Sequence, residues 1–111
     1  MARAMSPELM GLVSERFKAL SDPARLRLLN ALRTGERAVG DLVADTGLTQ
    51  ANVSKHLALL HTLGFVRRRK SGLFVHYALA DKDIFRLCDL MCGRIEAEVR
   101  ARQRALGSAG T

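Results

Sequence analysis

The sequence predicts a mainly α-helical protein with one small β-hairpin, in the order α-α-α-α-β-β-α. Three observations carry that reading. From Pro7 to Leu63 apolar residues recur at three- and four-residue steps, in four runs separated by Ser21-Asp22-Pro23, Gly35 and Gly47-Leu48-Thr49. From Phe65 to Leu79 the period changes from helical to alternating around Gly72. A helical stripe then returns and persists almost to the end of the chain.

Each element has its own start and stop signals. Pro7 opens the first helix, whose apolar positions are Leu9, Leu12, Val13, Phe17 and Leu20. Asp22 is a suitable N-cap and Pro23 a suitable first residue for the second helix, which carries Leu26, Leu28, Leu29 and Leu32 and stops at Gly35. A short third helix spans roughly Val39 to Thr46, with Leu42 and Val43 inward and Gly47 ending it in the left-handed conformation. Thr49 caps the fourth, which runs through Val53, Leu57, Leu60 and Leu63 to Gly64. Strands are expected from Phe65 to Lys70 and from Leu73 to Leu79, with Ser71-Gly72 as the turn. Asp81 is expected to cap a last helix from about Lys82 to Ala105, striped by Ile84, Cys88, Met91, Ile95 and Val99, with Leu87 and Cys92 at its edges.

At 111 residues and 48% apolar composition the chain suits one domain, 1–106, followed by a short frayed tail, 107–111. Its 18 Lys and Arg against 11 Asp and Glu leave a formal charge of +7, mostly from Arg, which favours polyanions. The N-terminal residues contain no apolar run suited to a signal peptide, and no stretch approaches the roughly 18 apolar residues of a spanning helix. A cytoplasmic protein with no membrane partner is expected, its two cysteines reduced.

A short helix, a tight Gly-containing turn and a longer helix make a helix-turn-helix. The hairpin that follows is its wing. The second-helix stretch ALSDPARLRLLNAL and the run TGLTQANVSKHLALLHTLGFVRRRKSGLFVHYAL resemble the ArsR/SmtB family of bacterial repressors over roughly residues 15–100. The resemblance implies a winged helix-turn-helix transcriptional repressor. It also implies a homodimer built from the first and last helices, binding an imperfect palindromic operator in double-stranded DNA. The apolar stripes of the two terminal helices agree, being wider than a small helical core covers; packing within one chain is the alternative.

The fourth helix would enter the major groove with its N-terminal segment. Thr49, Gln50, Asn52, Ser54, Lys55 and His56 supply the hydrogen-bonding groups, and Ala51 is small enough for close approach or for contact with a thymine methyl. His56 has two readings, a phosphate contact or a local hydrogen bond beneath the helix. In the wing, Arg67, Arg69 and Lys70 are the expected phosphate contacts, with alternation placing Arg67 and Arg69 on one face. A solvated edge strand is the alternative for this run. Where the family often has a further cation after the wing-tip glycine, this chain has Leu73.

The resemblance also raises sensing. The family's Cys-x-Cys site aligns with Glu36 to Leu42, where Ala38 and Gly40 stand in the thiolate positions and cannot ligate. Its last-helix site aligns with Asp81, Asp83, Arg94 and Ala97, a poor zinc cage. Cys88 and Cys92, four residues apart, are the remaining candidates for a soft metal, a metalloid, or an oxidant or persulfide signal. Simple packing is their alternative role. Rival readings of the whole chain are an architectural nucleic-acid binder without an operator and a winged-helix protein-interaction module. An enzyme is not expected, because the three histidines fall on the fourth helix and the wing without a nucleophile–base pair.

Overall fold

Caps and glycines set the element boundaries. A computed structural model describes residues 4–110, with side chains for residues 4–107. The Ser6 hydroxyl accepts from Leu9 N at the start of α1, Pro7–Leu20. Asp22 accepts from Ala24 N and Arg25 N at the start of α2, Pro23–Ala31, which tightens into a 3-10 turn over Leu32–Thr34. Strand β1, Arg37–Ala38, leads directly into α3, Val39–Thr46. Helix α4 is Gln50–Thr62, β2 is Val66–Ser71, β3 is Phe74–Leu79 and α5 is Asp83–Gly110.

The chain forms two compact units, Met1–Asp81 and Lys82–Thr111. The first has the winged helix-turn-helix arrangement that the residue pattern predicts. Its core is aliphatic: Leu28, Leu29 and Leu32 from α2 and its turn, Leu42 from α3, and Val53, Leu57 and Leu60 from α4 are fully buried. Leu63, Val66, Tyr77 and Leu79 extend that core to the sheet. Burying a leucine side chain is worth about 1.5–3 kcal/mol, so this cluster holds α2, α3 and α4 to the sheet. Leu26 departs from expectation and is exposed. With Leu28, Leu29 and Leu32 filling the inner face of α2, its position falls on the outer side.

The sheet has three strands rather than the expected two. β1 pairs antiparallel with β3, Arg37 opposite Tyr77 and Ala38 opposite His76, giving the order β1-β3-β2. Pairing of β2 with β3 runs from Val66 opposite Leu79 to Ser71 opposite Phe74. The turn is therefore Gly72-Leu73, one residue later than Ser71-Gly72. Gly72 has φ +60° and no non-glycine residue among the described residues has positive φ, the combination of a type II′ turn with Gly first.

Helix α4 ends in a Schellman motif. Phe65 N donates to Leu60 O at 2.9 Å and Gly64 N to His61 O at 3.0 Å, with Gly64 at φ +83°. Ala80 N then donates to Phe65 O at 3.0 Å, closing the root of the wing.

The last helix begins at Asp83, in line with the expected start near Lys82. The backbone of residues 107–110, expected as a frayed tail, continues it to Gly110; Thr111 lies outside the described residues. No proline interrupts this segment, and Gly107 weakens a helix by about 1 kcal/mol without ending it. Leu90, Met91, Ile95, Val99 and Leu106 are all exposed along α5. On α1, Leu12 and Phe17 are about half exposed, at 53% and 52%, and only Ala19 is buried.

Candidate nucleic-acid interface

The turn between α3 and α4 fixes how the reading helix is presented. Gly47 adopts φ +73° and its N–H donates to Val43 O at 3.0 Å. The Thr46 hydroxyl donates to Leu42 O at 2.6 Å and accepts from Leu48 N at 3.3 Å, so one side chain ties the end of α3 to the turn. Thr49 then accepts from Asn52 N at 3.2 Å as the N-cap of α4. The first turn of α4 contains no acidic residue, which leaves the positive end of its dipole available to phosphate.

Helical spacing separates the two faces of α4. Val53, Leu57 and Leu60 are buried, while Thr49, Gln50, Ala51, Asn52, Ser54 and Lys55 are exposed. His56 is half-buried and turned to the protein. Its Nδ1 lies 3.2 Å from Arg25 Nη1; because a guanidinium only donates, Nδ1 is the acceptor and the ring proton sits on Nε2. Arg25 also donates from Nε to Ala19 O at 2.6 Å and from Nη2 to Lys18 O at 3.4 Å. One side chain thus joins the end of α1, the start of α2 and the middle of α4, the local-bond alternative for His56.

The wing has two chemically different faces. Arg68 and Lys70 share the parity of the buried Val66 and stand opposite Tyr77 and Val75. Together with Ser54 of α4 and Val39 of α3 they line an open cleft of about 450 Å³. Arg67 and Arg69 share the other face, as alternation predicts, but Glu36 faces Arg69 there. Arg69 Nη2 lies 2.6 Å from Glu36 Oε1 and its Nε donates to Oε2 at 3.2 Å. The hydrogen bond from Arg69 is the main influence holding the Glu36 carboxyl below its ordinary range; burial opposes it, and the charges of Arg69, His76 and Arg67 add to the lowering. The same pair raises the Arg69 guanidinium further. Alternation alone does not single out Arg68. Register places it: pairing Val66 with Leu79 puts Arg68 and Lys70 on the face of the sheet that carries the buried Val66.

At the tip, Leu73 is 98% exposed and Phe74 is also exposed. On α5, Cys88 is half-buried and Cys92 exposed, and they form no disulfide. Their i,i+4 spacing puts both on one helix face, with Cβ atoms about 5–6 Å apart. No group of three or more His, Cys, Asp or Glu that could hold a metal occurs among the described residues, so one chain offers a soft ion two thiolates at most. No helix among the described residues is long and apolar enough to cross a membrane.

Comparison with known proteins places this geometry. The family model described as bacterial regulatory protein, arsR family, matches residues 22–68, from the cap of α2 into β2. The chain is 39% identical over 90 residues to a transcriptional repressor SmtB homolog of Synechocystis sp., covering 77% of this chain and 68% of that protein. The AntR antimony-specific transcriptional repressor has a similar structure, with a TM-score of 0.77 and 32% identity, over 89% of this chain and 90% of that one. The homodimeric winged helix-turn-helix DNA-binding domain of Mb0332 from Mycobacterium bovis, solved in solution, matches with a TM-score of 0.72 and 32% identity, covering 86% of this chain and 91% of its own.

Proposed function

The chain belongs to the arsR family of bacterial regulatory proteins, and from that premise we propose that it is a cytoplasmic, sequence-specific DNA-binding repressor acting as a homodimer on an imperfect palindrome. The observation that carries this reading is the pairing of an exposed, polar α4 N-terminus with a cationic wing cleft beside Ser54. Thr49, Gln50, Ala51 and Asn52 are presented to base edges, with Lys55 beside them. Ser54, Arg68 and Lys70 converge on a space suited to a backbone phosphate, and Arg67 adds charge from the outer face of the wing. His56 serves indirectly, holding the helix through Arg25.

Dimerisation through α1 and α5 is supported by their exposed apolar positions and by the homodimeric state of the Mycobacterium bovis neighbour. A twofold dimer presents two reading helices to two half-sites. Selection of bound duplexes from a random-sequence library tests the reading. Recovery of a palindrome supports it. Binding without enrichment would indicate an architectural nucleic-acid binder, and no binding at low salt a protein-interaction module.

For the signal, the thiols of Cys88 and Cys92 are the candidate receptor for a soft metalloid, a soft metal, or an oxidant or persulfide. The antimony-specific repressor among the structural neighbours favours metalloid chemistry. Two thiolates leave such an ion open, so thiols of a second subunit would complete the site. Linkage requires the inducer to bind the DNA-free dimer more tightly than the DNA-bound one. Cys88→Ser with Cys92→Ser should leave DNA binding intact and abolish release by antimonite or arsenite. Release that persists in the double variant removes these thiols from the mechanism. The chain is read as a regulator and not an enzyme, in keeping with its family.

A further inference from the structure

The outer face of the wing carries three cationic or ionisable groups, Arg67, Arg69 and His76, and one carboxylate, Glu36. Glu36 comes from the segment just before β1, on the far side of β3 from the wing strand that carries Arg69. It meets Arg69 through both carboxylate oxygens, at 2.6 and 3.2 Å. A two-point fork of this kind occupies the same guanidinium edge that a phosphate would take. Arg69 and Glu36 side chains remain 56% and 39% exposed, so solvent screens the pair and an arriving phosphate reaches it.

We propose that Glu36 withholds Arg69 from DNA, so that this intramolecular carboxylate competes with a backbone phosphate and sets the affinity and salt dependence of the protein. On the inner face, Arg68 and Lys70 meet no such acid among the residues lining their cleft. The wing therefore has one cationic edge open to phosphate and one held in reserve. Exchange of Glu36 for phosphate at Arg69 releases the carboxylate to water next to a polyanion. That opposes binding, and the substitution that removes the charge should remove the opposition.

This inference rests on the DNA-binding reading, and one thermodynamic cycle separates the two. Wild type, Glu36→Gln, Arg69→Ala and the double variant are titrated against a labelled random-sequence duplex over a salt series. Thermal melting of each variant verifies folding. Glu36→Gln is expected to bind several-fold more tightly at low salt, with a slope steeper by about 0.9 for one additional phosphate contact. Its advantage should then shrink about threefold between roughly 50 and 200 mM salt. In the Arg69→Ala background, Glu36→Gln should have almost no effect.

An unchanged or weaker Glu36→Gln overturns the proposal and makes the pair a brace for the wing. Tightening that persists without Arg69 also overturns it, since Glu36 would then act as a repulsive charge alone. If wild type fails to bind any duplex at low salt, the DNA-binding reading falls and this inference with it. If wild type binds and the cycle shows no coupling, only this inference falls.

Discussion

Arg25 Nη1 donates to His56 Nδ1 at 3.2 Å, across 31 positions of sequence, and ties the base of the reading helix to α2. The same guanidinium holds the Ala19 and Lys18 carbonyls at the end of α1. Arg25→Ala should therefore destabilise the protein by about 2 kcal/mol, more than a single neutral hydrogen bond would. His56→Ala should cost less, because Arg25 keeps its two carbonyls. The double variant should fall short of the sum by about 0.5–1 kcal/mol. Urea unfolding of the four proteins measures this coupling, and strict additivity would show that the contact contributes nothing.

Asp22 gives a pH dependence with a defined sign. Its carboxyl is held below the ordinary value of 3.8, first by the Arg25 backbone hydrogen bond, then by that of Ala24 and the charges of Arg25 and His56, against opposing burial. A carboxylate depressed in the folded state contributes stability that is complete above 3.8 and is lost as pH falls through its folded pKa. Asparagine caps a helix about as well as aspartate. Asp22→Asn should thus match wild type near neutrality and lose less stability on acidification below 3.8. Urea midpoints over an acid pH series would reveal equal slopes if the cap carries no such linkage.

The two faces of the wing should separate in a salt titration. Arg68→Ala and Lys70→Ala should each weaken binding to every duplex and flatten the salt slope by about 1, the signature of a lost phosphate contact. Gln50→Ala and Asn52→Ala should instead lower discrimination between operator and random duplex, by about 1–3 kcal/mol for a lost bidentate base contact. Equal salt slopes for wild type and Arg68→Ala would remove the inner cleft from the interface.

The turn register has its own test. Gly72→Ala forces a side chain into φ +60° and should destabilise by about 1–2 kcal/mol, whereas Ser71→Ala at a strand position should change little. Reversed sensitivities would return the turn to Ser71-Gly72.

Much of this fold is legible in sequence because its boundaries rest on local chemistry. Asp22 and Thr49 cap, and Gly47 and Gly64 take positive φ, where the residue pattern places them. β1 is different: Arg37–Ala38 is too short to show alternation, and only its pairing with Tyr77 and His76 defines it. The reading-helix face from Thr49 to Lys55 follows from helical spacing alone. The roles of His56 and Arg69 do not, because their partners, Arg25 and Glu36, lie 31 and 33 residues away. Parity correctly grouped Arg67 with Arg69, yet the acid opposite them belongs to a different strand's approach.

That two-residue strand has a mechanical consequence. By pairing with the middle of β3 immediately before α3 begins, it fastens the wing to the entry of α3. Movement of the wing relative to α3 would have to break that pairing, so the strand couples the two. In a twofold dimer, two such coupled units would meet two half-sites. Any signal that releases DNA would then act through the spacing of the two reading surfaces rather than through the wing alone.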